Sequence, residues 1–510
     1  MRAHWVFCLL AILLAYRAQG NPIDRKAKVA TEFIILHNND MHARFEQTNV
    51  NSGTCSQEDA NTDKCYGGFA RVAYEVRKYR QEAADGGTPV FYLNAGDTYT
   101  GTAWFTIFKD KIASAFLNKL QPDVISLGNH EFDEKVEGLI PFLNEVNFPV
   151  VACNLDLKNV PELAATKNLV HSTILETQGT KIGVIGYLTP DTKRLTVMMD
   201  VEFYEEVVSI NAEAKKLKAQ GIKIIIALGH SGYLKDQEIA KNCPEVDIFD
   251  AEGNLIEFDG APILLNASVA QEQDLLDLLE VYRPSVINLE KAVVGHSKVH
   301  LEGSKQVCRD RECNLGNMLT DAMVFSRVRE EQGGDYWTDA AIAIMNAGGI
   351  RSSIEKKFDG SITDSDILAV LPWENDLYIS RLSGKTIRNA LEHGAAARGK
   401  DSDGPFLQVS GIHVAYDPSK PEGQRVLSVQ VRCAACRIPT YSDLDDAAFY
   451  NVIVQEFMFD GGDGYVLKEA NNTQHQRLQK KDSEAVKQYL QERQYIYPEV
   501  EGRIIFKGRC

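Results

Sequence analysis

The chain is short of positive charge: 55 Lys and Arg stand against 71 Asp and Glu, a net −16. That balance excludes a protein that wraps nucleic acid or lies on an anionic membrane, and leaves room for a local basic pocket around a small anion. Past residue 15 there is no long apolar run, and the mean hydropathy is −0.24, so a multi-span membrane protein is excluded. Internal repeats and low-complexity tracts are absent. With 44% hydrophobic and 25% charged residues, the composition also excludes wholesale disorder and collagen-like structure.

What is present begins with length. The 510 residues suffice for two or more domains with sizeable cores. At the N-terminus Arg2 and His4 precede the apolar run Trp5 to Ala15, and AYRAQG follows with small residues before Asn21. This is the pattern of a cleaved secretory signal over residues 1–20, too short to span as an anchor. Its removal takes two arginines and brings the net charge from −16 to −18. The C-terminal IIFKGRC carries no hydrophobic tail of the kind a GPI anchor requires, so a soluble secreted protein without a membrane anchor is expected.

Cysteine usage agrees with export. Of ten cysteines, Cys8 leaves with the leader. Cys55 and Cys65, Cys308 and Cys313, and Cys433 and Cys436 are close pairs in polar sequence, readable as short-loop disulfides in an oxidising compartment. The competing reading is a zinc ribbon, because CAAC has metal-ligand spacing. Cys153, Cys243 and Cys510 remain, an odd count that implies a free thiol or an intermolecular bridge. Asn266 and Asn471 stand in glycosylation sequons.

From residue 31 to about 230, apolar runs of strand type alternate with helical patterns. The runs are FIILH (33–37), PVFYLN (89–94), DVISLG (123–128), PVVACN (149–154), KIGVIGY (181–187) and KIIIALG (223–229). FARVAYEVRKYRQEA and SINAEAKKLKAQG between them have helical period. Continuous apolar strands alternating with helices predict a buried sheet in an α/β layer structure. The polar helical stretch 269–286 predicts a connector, and hairpin-like strands (IAIMN, LYISRL, GIHVAY, VLSVQV, FYNVIV) mixed with helices predict a separate α+β domain from near residue 291.

The chemistry-bearing residues fall where these strands end. Asp40 and His42 follow the first run, Asp97 the second, Asn129, His130 and Asp133 the third, and His230 the last. In open α/β sheets the carboxyl ends of the strands line the ligand crevice. Four offerings of oxygen and imidazole ligands at one edge predict a two-metal site. Singly, each has a plain structural explanation such as a helix cap or a turn.

DMHARFE, NAGDTYTG, LGNHEFD and ALGHSG resemble the signatures of the calcineurin-like metallophosphoesterases, specifically the 5'-nucleotidase/apyrase family. CRDRECNLGNMLTDAM, NAGGIRSSI, DILAVLPWEND, LQVSGIHVAYD and FDGGDGY resemble that family's substrate domain. The resemblance implies an α/β/β/α metallophosphoesterase sandwich over residues 29–266, a linker helix over 267–290, and an α+β nucleotide-binding domain over 291–510. It implies two divalent ions, Zn or Mg, Ca or Mn. Asp97 would bridge them, Asp40 and His42 would complete one, and Asn129 and His230 would serve the other. His130 resembles the family's catalytic histidine and Asp133 the carboxylate that orients it. Arg309 and Arg351 resemble the phosphate- and ribose-side residues, with Asn346 beside them. Trp373 and Phe457 resemble the pair that sandwiches the base, and Asp463 the acceptor for ribose hydroxyls. Read without the resemblance, those two aromatics are core residues and DGGDG a turn.

The chain departs from the family at one place. After His230 the family continues through a Val-Asp strand into GGHSH or GGHSN, one further ligand for each metal. Here VDI runs into FDAEGNLI, with the break near Ile248–Phe249. Each metal is left with three protein ligands, and loss of several strands predicts exposed sheet edges and weaker coordination. His296 and His300, in VVGHSKVH, are not in register to replace the missing ligands. The resemblance implies a secreted, metal-dependent hydrolase of extracellular nucleotides, acting on AMP as a 5'-nucleotidase or on ADP and ATP as an apyrase. By analogy with soluble salivary apyrases, removal of ADP would inhibit platelet aggregation. The alternative reading is a binding protein on an impaired scaffold, which sequesters nucleotide or acts on a host platelet receptor.

Overall fold

The structure, a computed structural model, describes residues 31–195, 200–247, 260, 262–330, 335–400, 404–468 and 475–507. The leader 1–20 with Cys8, the sequon at Asn471, Cys510 and the junction at Ile248–Phe249 lie outside the described residues.

The first half stacks two sheets. Five short parallel strands lie side by side in chain order: β1 (Ile34–Asn38), β2 (Val90–Asn94), β3 (Val124–Ser126), β4 (Val150–Val151) and β5 (Leu169–Val170). A second sheet of three holds β6 (Ser172–Thr177), β7 (Thr180–Leu188) and β8 (Ile224–His230), with β7 in the middle. Alternation along β2 explains the layering. Tyr92 joins the core under helices α1 (Phe69–Ala84), α2 (Asp110–Leu120) and α3 (Lys135–Glu145), whereas Phe91 and Leu93 face Ile182, Val184 and Leu228 of the other sheet. Helix α4 (Glu206–Ala219) covers the far side through Ile210, Ala214 and Leu217. The buried thiols Cys153 and Cys243 pack into that same outer cluster. Strands 123–128 and 149–154 are shorter than their apolar runs, because their last residues turn into the loops that carry the polar groups.

β8 has β7 as its one strand neighbour among the described residues. Its outer edge is met at Ile225 by Asp247, whose N–H donates to the Ile225 carbonyl at 2.9 Å and whose carboxylate accepts from the Ile225 N–H at 3.0 Å. Asp247 belongs to the Val-Asp-Ile run that stands just before the missing segment.

The polar stretch read as a connector is helix α5 (Gln273–Lys291). It starts four residues later than the pattern and inserts Leu275, Leu279 and Val286 into the first core, where Leu368 of the second half joins them. Leucines spaced four apart make an apolar stripe, so the element is packed and not a free bridge.

The second half centres on a mixed five-stranded sheet. Its strands in chain order are β10 (Ile342–Asn346), β11 (Asp376–Ser383), β12 (Leu407–Ser410), β15 (Phe449–Gln455) and β16 (His475–Lys481), following β9 (Val293–Ser297). They lie in the order β12-β10-β15-β11-β16. Of the hairpin-like runs, only GIHVAY and VLSVQV pair as consecutive antiparallel strands, β13 (Ile412–Tyr416) with β14 (Val426–Arg432). IAIMN pairs parallel with FYNVIV, a correction of the hairpin reading; β10 is buried along its whole length and needs neighbours on both edges. Helices α6 (Asn314–Glu330), α7 (Gly384–Ala397) and α8 (Asp482–Arg493) pack on these sheets. The three close cysteine pairs are disulfides, so CAAC is not a zinc ribbon.

Asp482, which opens α8, is buried; it accepts from Gln455 Nε2 at 2.5 Å and from the Ser483 N–H at 2.7 Å. Burial outweighs these bonds and pushes its carboxyl up to about 7. The folded value lies above the unfolded 3.8, so its contribution is full below about pH 4 and is lost as pH rises through about 7. Asp482→Asn is expected to flatten the pH dependence of the urea midpoint between these values, by on the order of a few kcal/mol in stability.

Candidate active site

Three loops at the carboxyl ends of β1, β2 and β3 interlock. The first lies along the second through Asp40 N–H to the Gly96 carbonyl, His42 N–H to Asp97 and Ala43 N–H to Thr98, at 3.1, 3.0 and 2.8 Å. Buried Glu131 ties the second to the third: its carboxylate accepts from the N–H groups of Asp97, Thr98 and Gly128 at 2.9, 2.7 and 2.7 Å. A Cβ at Gly128 would stand 2.2 Å from Asp97 Oδ1 and 2.6 Å from its backbone N, so only glycine permits this approach. Asp40, His42 and Asp97 all hold left-handed φ, at 53°, 44° and 54°. Strain concentrated on three polar residues is what functional sites store.

The side chains converge on Asp97. Its Oδ1 accepts the His130 N–H at 2.9 Å, and around its Oδ2 stand His230 Nε2 at 3.1 Å, His130 Nε2 at 3.8 Å and His42 Nε2 at 3.9 Å. Asp40 Oδ1 lies 3.3 Å from His42 Nε2 and 3.7 Å from His230 Nε2. Each imidazole is anchored through its other nitrogen: His42 Nδ1 to the Thr100 carbonyl, His230 Nδ1 to the Ala95 carbonyl and His130 Nδ1 to Asp133 Oδ2, at 3.1, 2.8 and 2.7 Å. Anchoring one ring nitrogen on an acceptor fixes the tautomer and turns the other inward as a ligand or acid, the arrangement of metal-bound histidines. Asn129 is buried beside them at the start of the short 3₁₀ turn His130–Phe132.

Ligand atoms of His42, Asp97 and His130 lie within 4.8 Å of one another, as do those of Asp40, Asp97 and His230. This donor set of imidazole and carboxylate fits divalent ions. The grouping differs from the expected one: Asp40 stands between His42 and His230, and His130 enters the cluster because Asp133 turns its Nε2 toward Asp97. Burial raises the Asp97 carboxyl, but the charges of His130, His230 and His42 outweigh it and hold it well below the usual range. Burial lowers the His130 imidazole, but Asp133 and Asp97 raise it above its ordinary value. His296 and His300 stand apart; His296 packs on Tyr495, and His300 faces Glu355 and Glu302.

Residues of the second half meet the cluster. Arg351 Nη2 reaches 3.3 Å from His42 Nε2, and its guanidinium lies over the Trp373 ring at 5.2 Å. Burial, with Arg309 and Arg44 nearby, lowers the Arg351 guanidinium to about 10. Asn346 Nδ2 donates to Asp463 Oδ2 at 2.7 Å, and Arg309 acts electrostatically on Asp463. The Phe457 ring lies against Gly462, and its N–H donates to Asn375 Oδ1 at 3.2 Å. Trp373 is turned toward the first half, with its ring stacked on His130 at 5.6 Å between centroids.

Two residues in the motifs carry more than the sequence reading assigned them. Glu131, to which the sequence assigns no role, spends its oxygens on backbone N–H groups. Arg44, in DMHARFE, donates to the His42 carbonyl at 3.1 Å and adds positive charge beside Arg351. No spacing in the sequence distinguished either role.

The calcineurin-like phosphoesterase family model matches residues 33–296 and the 5'-nucleotidase C-terminal domain model matches residues 293–469. Protein 5NUC of Lutzomyia longipalpis is 42% identical over 94% of this chain and 93% of its own length. The chain belongs to the 5'-nucleotidase family. The 5'-nucleotidase of Homo sapiens is 34% identical over 94% of this chain and 91% of its own. The crystal structure of a 5'-nucleotidase precursor from Thermus thermophilus superposes with a TM-score of 0.81 at 29% identity, over 94% of this chain and 100% of that one. The two-domain α/β architecture is therefore that of a 5'-nucleotidase. The alignment with the Lutzomyia protein runs over 536 positions, against about 479 residues in 94% of this 510-residue chain. About 57 positions of it thus have no residue here.

Proposed function

We propose that the protein is a secreted, metal-dependent phosphohydrolase of extracellular nucleotides, acting on AMP or on ADP and ATP. The observation that carries the reading is the meeting of the two halves: Arg351, of the expected nucleotide side, stands 3.3 Å from His42 of the cluster. A phosphoryl group bound there would be held between the arginines and the ligand set. Metal ions held by Asp40, His42, Asp97, Asn129 and His230 would supply an activated water and positive charge for the phosphoryl oxygens. The chain's own residues do the rest. His130 faces the phosphoryl oxygens and the departing oxygen, and Asp133 fixes its orientation. Arg351 and Arg309 bind phosphate through forked N–H groups. Asn346 and Asp463 take the ribose, and Phe457 and Trp373 offer ring faces to the base. Three disulfides, no described helix long and apolar enough to cross a membrane, and relatives named as snake venom 5'-nucleotidases support the extracellular setting. Removal of ADP there would inhibit platelet aggregation.

A second reading has one specific observation in its favour. The segment that would supply another ligand to each metal is missing, and the described residues place no further histidine in the cluster. On that reading the protein binds nucleotide without turnover. Phosphate release from AMP, ADP and ATP with Zn, Mg or Ca, each beside EDTA, separates the two. Metal-dependent release is expected, and the ratio across substrates names the activity. Nucleotide binding by calorimetry with no release under any metal would replace the first reading by the second.

A further inference from the structure

Trp373 makes a polar and a stacking contact between the two halves of the molecule. Its indole N–H donates to Asp133 Oδ2 at 2.8 Å, the same oxygen that accepts His130 Nδ1 at 2.7 Å. Its ring stacks on the His130 imidazole, with planes 28° apart, and carries the Arg351 guanidinium over it. The Asp133 side chain is 3% exposed and the His130 side chain 11%, and the second half lays Trp373 on the pair. A buried carboxylate with one donor leaves lone pairs unmet, and the indole supplies the second donor. That donor is 240 residues away in sequence and sits in the other domain. Asp133 therefore has its indole donor only while the two domains are together.

We propose that Trp373 is a positioning residue that couples closure of the two domains to the orientation of the His130–Asp133 pair. Closed, the indole N–H fixes Asp133, and Asp133 fixes the imidazole. Opened, Asp133 loses that donor and gains solvent, and His130 loses its stacked cover. The ring assigned to the base by resemblance is thus engaged by the first domain. A base that stacks on it must share the ring with His130 or displace it. The positioning part rests on the reading that His130 acts on the phosphoryl group; the closure part does not.

Trp373→Phe keeps a ring for stacking and removes only the donor. In small-angle scattering of the nucleotide-free protein, the variant is expected to shift to a larger radius of gyration than the parent. With Asp133→Ala already present, adding Trp373→Phe is expected to produce no further shift, because the two groups share one bond. In phosphate release, kcat is expected to fall about tenfold with KM held within about twofold, the scale of one hydrogen bond to a charged group felt in the transition state. A variant that scatters like its parent, at an unchanged thermal midpoint, overturns the proposal whatever its rates. A variant that opens but keeps full kcat overturns the positioning role. If the parent releases no phosphate from any nucleotide while the scattering shift is present, closure through Trp373 stands and the enzymatic reading falls.

Discussion

Asp97→Ala is expected to abolish metal loading and to reduce phosphate release by at least about a thousandfold. No other side chain touches so much of the cluster: three imidazole nitrogens surround its Oδ2, and its Oδ1 takes the His130 N–H. Its carboxylate is the one negative charge shared by both ligand groups. Asp97→Asn is the sharper variant, because it keeps the shape and an acceptor for the His130 N–H while removing the charge. Metal content of the purified variants by mass spectrometry and phosphate release from AMP and ADP check the prediction together. Loading and turnover close to the parent's would remove Asp97 from the site.

Arg351→Ala is expected to move two quantities in opposite directions. Loss of the guanidinium removes a preorganised donor to the phosphoryl group, which costs about 10²–10³-fold in kcat/KM. The same guanidinium faces His42 Nε2 at 3.3 Å and places a positive charge where a cation must bind. Its removal is expected to tighten metal binding several-fold. Affinity for a nucleoside that lacks phosphate should fall less than affinity for AMP, because Phe457, Asn346 and Asp463 are untouched while the Trp373 ring loses the guanidinium over it. Calorimetry with Zn, with AMP and with adenosine reads all three. Weaker metal binding in the variant would show that Arg351 supports the cluster instead of competing with the ion.

Both variants lie on a cluster whose members the amino-acid sequence offers as candidate site residues. Asp40, Asp97, His130 and His230 can be found there because each follows a continuous apolar strand, and parallel strands deliver their carboxyl ends to one edge. The layering is legible for the same reason. The disulfides follow from close cysteine pairs in polar sequence, and the departure from the family's motif from the run after Asp247. Less legible are the ends of elements: α5 begins at Gln273 and buries leucines that a polar pattern conceals.

The amino-acid sequence by itself determined the two-domain architecture, the candidate ligands and the loss of a segment, because these depend on local periodicity and on motifs a few residues long. Only the tertiary structure decided how the ligands are oriented and what faces them. The Thr100 and Ala95 carbonyls that turn His42 and His230 inward are backbone atoms, which carry no residue signature. Glu131 serves backbone N–H groups on another loop, and its role exists only where Gly128 lets the loops touch. The Trp373–Asp133 bond joins residues in different domains, so it depends on the docking of two cores, and no local pattern encodes that geometry.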